Sequence, residues 1–95
     1  MNVQVPYQID RPFNDGIALE VMHIQQHGDT KVHTHGFTEL VIVLHGAGIH
    51  ISPAGDYPIG AGDVFVLHEH QSHGYRNTAA LELVNILFCM NELAV

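Results

Sequence analysis

Tryptophan is absent from these 95 residues, cysteine occurs once, and only Arg11, Lys31 and Arg76 carry permanent positive charge. Ten acidic residues set against them give a formal charge of −7 with histidine neutral. So few cations cannot neutralise the phosphates on which nucleic-acid affinity rests, so the chain itself is expected to contact neither DNA nor an anionic membrane. The longest unbroken aliphatic run, Leu40 to Leu44, is far short of the ~20 residues of a spanning helix. Met1–Phe13 has neither the basic start nor the apolar stretch of a secretory leader. The single Cys89 excludes an internal disulfide, fits a reducing cytosol, and reads as a small buried apolar side chain. A cytoplasmic location is the expectation.

What the chain does have is a 46% hydrophobic composition, enough for one folded core, and nine histidines. The histidines are scattered from His23 to His73, so they are no purification tag. Histidine is the commonest metal ligand and ionises near neutrality, so function is to be sought there.

No segment sustains the 3.6-residue period of a long amphipathic helix. Short runs rich in Val, Ile, Leu, Phe and Tyr predict strands near Ala18–Gln25, Lys31–His35, Thr38–Leu44, Gly48–Ser52, Asp63–Leu67, His73–Arg76 and Leu81–Met90. Turns are expected at Gly46-Ala47-Gly48, Pro53-Ala54-Gly55-Asp56 and Gly60-Ala61-Gly62-Asp63. Turn signals about every 8–12 residues without helices indicate an antiparallel β-sandwich or barrel. The strand Glu39–Leu44 is apolar on both faces, so both must be covered, by the chain itself or by a second copy in a homodimer.

The informative stretch is His33-Thr34-His35-Gly36-Phe37-Thr38-Glu39. On a strand His33 and His35 share a face, and with Glu39 they form a candidate three-ligand set for a divalent transition metal. A fourth ligand is available in His68-Glu69-His70-Gln71-Ser72-His73. Taken alone, an HxH pair also fits two solvated positions on a wet strand face.

The wider spacing resembles the cupin superfamily. His33-x-His35, three residues, Glu39, six residues, Gly46 follows the first cupin motif, and Gly62, five residues, His68, four residues, His73, three residues, Asn77 follows the second. The resemblance covers about Gly28 to Asn77, with the motifs near 28–46 and 62–77 of a single domain spanning 1–95. It implies a small double-stranded β-helix barrel, all-β, with His33, His35, Glu39 and His73 as metal-binding positions facing its interior. Zn, Fe, Mn or Ni are the candidate ions. The sequence departs from the second motif at His68, usually proline, and at His70, usually glycine, so a differently shaped turn before His73 is expected, with His68 and His70 as competing ligand candidates. If Gly28 is its glycine, the first motif begins one residue short.

A narrower resemblance runs from His33 through Phe88, with Glu-Leu-Val-Ile-Val, Gly-x-Gly-Ile-His, His-Gly-Tyr and Leu-x-Leu-Val-Asn-Ile-Leu-Phe. It is similar to the N-terminal sensor half of AraC-type transcription regulators, in the cadence of the rhamnose-responsive members. That resemblance implies a small effector, a sugar, bound by His33, His35, Glu39, His73 and Tyr75. In the family a helical dimerisation segment and a DNA-binding domain follow, and no DNA-binding domain is expected within this chain. A freestanding metal-dependent cupin enzyme, a dioxygenase or sugar isomerase, is the alternative; no acid–base pair announces itself, so the expectation leans away from catalysis.

Among the remaining residues, Tyr75 shares the face of His73 if the strand is regular. His50 reads equally as cavity lining or as solvated. His45 is expected to cap a turn, His23, His27 and Arg76 to lie at the surface, and Asp63 to close its turn through its own carboxylate. Glu69 is either an acid–base group or a solvated loop carboxylate.

Overall fold

The computed structural model describes residues 7–9 and 19–88; of residues 7–9 and His35 only the backbone is described. Seven strands follow one another: β1 (Tyr7–Ile9), β2 (Leu19–Gln26), β3 (His33–His35), β4 (Thr38–Ser52), β5 (Gly55–Gly60), β6 (Val64–Leu67) and β7 (Gly74–Phe88). No helix occurs among the described residues, and the all-β expectation is met.

Two 15-residue strands, β4 and β7, form the spine. They pair antiparallel along nearly their whole length, from Thr38↔Phe88 to Ile51↔Gly74. β2 lines up on the outer edge of β7, β6 on the first half of β4, and β5 on its second half. β1 pairs with β3 in parallel, the one departure from the antiparallel expectation among the described residues.

The two spine strands are each longer than the sequence predicts. Gly46-Ala47-Gly48 does not reverse the chain; it carries a break in register inside β4, with pairing shifts between Val43 and Ile49. Gly46 has φ +83°, and a Cβ on it would come within 2.2 Å of the Ala80 carbonyl oxygen. Only glycine permits that approach, so its signal marks a bulge rather than a turn. β7 likewise runs through Asn77 and Ala80, both at positive φ, where two separate strands are predicted. β1 and β5 are not anticipated. β5 carries Pro58, which sequence patterning counts against a strand but an edge tolerates.

Period-two alternation places the core. Leu81, Leu83 and Leu87 of β7 and Val41 and Val43 of β4 are buried, joined by Ile59, Leu67 and Tyr75. Each such side chain stabilises the fold by about 1.5–3 kcal/mol.

Candidate functional site

The backbone itself brings His33 and His73 together. They form an isolated antiparallel bridge in which the N–H of each donates to the carbonyl of the other, both at 2.9 Å. Residues paired this way turn their side chains to one face. Their ring centres lie 4.3 Å apart. The seam continues upstream: the Thr30 N–H donates to the Tyr75 carbonyl and the Tyr75 N–H to the Thr30 hydroxyl, each at 2.9 Å. The Asp29 carboxylate accepts from the Asn77 N–H at 2.8 Å, holding Asn77 at φ 53°.

His33 Nδ1 lies 2.7 Å from the Lys31 carbonyl oxygen. A carbonyl can only accept, so Nδ1 carries a proton and donates it there. Glu39 enters the same interior from β4, and Tyr75 and Asn85 from β7. Together they line a cavity of about 220 Å³ whose apolar wall is Phe37, Leu83 and Leu87. Glu39, His33, His73, Tyr75 and Asn85 are all buried.

Two of these polar groups are left unmet. Tyr75 Oη and Asn85 Oδ1 are buried and have no hydrogen-bond partner among the described residues. A buried unsatisfied polar atom costs about 1–3 kcal/mol, so whatever fills the cavity, water or ligand, gains by supplying the missing bonds. Burial, and then the nearby Glu39 and Tyr57, push the Tyr75 phenol far above its ordinary range, so it stays an O–H donor.

Of the residues singled out in the sequence, His33, Glu39, His73 and Tyr75 converge on this cavity. The side chain of His35 lies outside the described residues, as does Cys89. Among the described residues no group of three or more His, Cys, Asp or Glu side chains is arranged to hold a metal ion. His68 and His70 are exposed; the His70 ring lies 3.7 Å from the Glu69 carboxylate at the surface.

Residues 16–94 match the family model of the AraC-like ligand-binding domain. The chain belongs to that family. Over 61 residues, 64% of this chain, it is 43% identical to the HTH-type transcriptional activator RhaR of Escherichia coli and of Shigella flexneri. The chain spans about a fifth of the length of these curated relatives, 22% of each. Its fold is similar to a cupin-2 domain-containing protein from Shewanella frigidimarina, with TM-score 0.66 and 16% identity over 77% of this chain and 72% of that one. It is also similar to a cupin 2 conserved barrel domain protein from Salinispora arenicola, with TM-score 0.65 and 18% identity over 87% and 74% of the two chains. The fold is a cupin β-barrel, as the resemblance implies.

Within this AraC-like ligand-binding domain, His70 holds φ 64° where the cupin motif has glycine. His70 thus takes a left-handed conformation that glycine would adopt freely, at a local cost of about 1–2 kcal/mol. Asp63 closes its turn as expected, its carboxylate accepting from the Gly60 N–H at 2.8 Å. His45 caps no turn; it lies exposed inside β4. His23, His27 and Arg76 lie at the surface, His23 and Arg76 paired with Glu82 and Asp56 respectively.

One buried residue, Asn85, was not singled out in the sequence, and a second, His50, was left open. Asn85 interrupts the inward series Leu81, Leu83, Leu87 at period two, a polar side chain on a buried face, and that signal was legible. His50 is 1% exposed, with Nδ1 2.8 Å from the Tyr57 hydroxyl. The sequence balanced it between cavity and solvent; the structure decides for the interior.

Proposed function

We propose that the chain is the effector-sensing domain of an AraC-type transcription regulator and that its effector is a small neutral sugar. The observation that carries this reading is the pair of unmet polar atoms, Tyr75 Oη and Asn85 Oδ1, in a cavity with one apolar wall. A sugar hydroxyl both donates and accepts, so it satisfies phenol and amide alike, while C–H faces pack on Phe37, Leu83 and Leu87. At about 220 Å³ the cavity falls below the ~300–1,000 Å³ typical of drug-sized ligands, which favours a single ring. The Glu39 carboxylate disfavours an anion there. A rhamnose-like 6-deoxy sugar heads the candidates, on the resemblance to rhamnose-responsive regulators. Control of transcription, DNA contact through another part of the regulator and a cytoplasmic location belong to the same proposal, with the effector acting by binding two arrangements of the domain unequally.

A divalent transition ion is the second reading, supported by His33. Its Nδ1 is anchored on a backbone carbonyl, the orientation that metal-ligating imidazoles use to aim the other nitrogen. His33, His35, Glu39 and His73 would hold Zn, Fe, Mn or Ni, and the bound ion would polarise a ligand oxygen.

The test is thermal melting against a sugar panel headed by L-rhamnose, with and without chelator. A ligand at 100 times its Kd adds ~2.7 kcal/mol, a rise of roughly 10 °C or more in a domain this size. A selective shift that survives chelation supports the sugar sensor. Collapse on chelation with no sugar shift turns the reading to a metal-dependent cupin enzyme.

A second copy of the chain is the proposed occupant of the outer sheet face. Val21, Ile86, Leu40 and Val66 lie side by side across four strands, and Val21 and Val66 are exposed. A two-fold dimer covers the same face of both copies at once. Sedimentation equilibrium should find a dimer that Val21→Lys combined with Val66→Lys converts to monomer; a monomeric wild-type chain at high micromolar concentration overturns this.

A further inference from the structure

Beside the Glu39 cavity lies a second one of about 290 Å³, between the β4–β5 hairpin and the 68–73 loop. His73 lines both cavities, so the two share a wall. Across that wall His50 sits with its ring centre 5.8 Å from His73 and 5.5 Å from Tyr75. Phe65, 4.6 Å away, tilts against the His50 ring, and the Tyr57 hydroxyl bonds its Nδ1 at 2.8 Å. The remaining nitrogen, Nε2, is buried with no partner among the described residues. Ser52, His68 and Gln71 add polar groups to the lining.

We infer that this second cavity is a subsite of the same effector pocket, taking a hydroxyl-bearing group beyond the part held at Glu39 and Tyr75, with His50 as the residue that hydrogen-bonds it. The inference rests on the sugar-sensor reading and deepens it by naming where the rest of the effector goes. Three features converge. A packed ring fixed through Nδ1 has one edge to offer, and a hydroxyl satisfies that edge whichever tautomer the Tyr57 bond selects. Ser52, His68 and Gln71 stand around the same cavity, a set of hydrogen-bonding groups that suits a neutral hydroxyl. His73 lines both cavities, and its ring centre lies 5.8 Å from that of His50, so a ligand at one cavity reaches the wall of the other. Tyr57 is a positioning residue here, since it acts through His50.

The test is a titration of the whole 15N-labelled chain with L-rhamnose, its methyl glycoside and open-chain L-rhamnitol, following histidine side-chain signals. The expected result is a shift of the His50 ring nitrogens on binding, with the Kd of the tightest panel member raised about tenfold by His50→Phe. Tyr57→Phe should raise it about threefold and change the His50 tautomer pattern, a readout that mere packing would not move. It also keeps the test open if His50→Phe does not fold, because Tyr57 is exposed. Shifts at His33 and His73 with His50 unmoved and His50→Phe within twofold of wild type would overturn the subsite while leaving the sensor intact. No histidine shift with any panel member would overturn both.

Discussion

Strands β4 and β7 carry opposite chemistry on their two faces. The inner face holds Glu39, Tyr75 and Asn85 among leucines and valines, all buried. The outer face carries Leu40, Ile42, Val84 and Ile86, flanked by Val21 of β2 at 62% exposed and Val64 of β6 at 58%. A sheet with one wet face ordinarily keeps polar groups outward and apolar ones inward, whereas here these three buried polar residues interrupt the apolar inner face and the outer face is apolar as well. Buried polar groups and exposed apolar ones are each informative, and here the same strands bear both. On the proposed reading the inside takes a polar effector and the outside a second copy, which would put binding and assembly on opposite sides of one sheet.

The largest effect separating the two faces should come from truncation. Leu83→Ala, at a residue 1% exposed, should cost about 2–5 kcal/mol in urea unfolding, whereas Val21→Thr on the outside should stay within about 0.5 kcal/mol in the monomer. Equal costs would break the comparison.

Acid should act on the inside next. His50 titrates at its ordinary 6.5 in the unfolded chain and at about 4 in the fold, so between those values the unfolded state binds more protons. Stability present above pH 6.5 should therefore fall as pH drops toward 4, by on the order of 2 kcal/mol, and His50→Phe should remove that component. Identical pH profiles for the two proteins would place the His50 ring in water.

The smallest effect sharpens the comparison by its sign. Asn85→Leu should raise stability by about 1 kcal/mol, because it removes an unmet buried amide oxygen, while weakening sugar binding. Lost stability without lost binding would make Asn85 a structural residue.

The sequence made the barrel and most of its polar lining legible. Histidines two apart, a glutamate four on, and the glycine frame led to His33, Glu39 and His73, and the parity of Tyr75 with His73 led to the phenol. Strand length was hidden, because Gly46 marks a break in register yet looks locally like a turn residue, and nothing in Ala80 announces its positive φ inside β7. His50 was hidden for the same reason: once Gly46-Ala47-Gly48 is read as a turn, the register linking His50 to the interior is lost. The exposed outer face was half visible in Glu39–Leu44, which is apolar on both sides. Its width across four strands needed the pairing of β2, β7, β4 and β6.

The most direct measurement is a calorimetric titration of L-rhamnose and the other sugars into the wild-type chain, Glu39→Ala on the inner face and Val66→Thr on the outer. Saturable binding of at least one sugar is expected, abolished by Glu39→Ala with little loss of stability and unchanged by Val66→Thr. Full affinity in Glu39→Ala, or binding lost only in Val66→Thr, would contradict it.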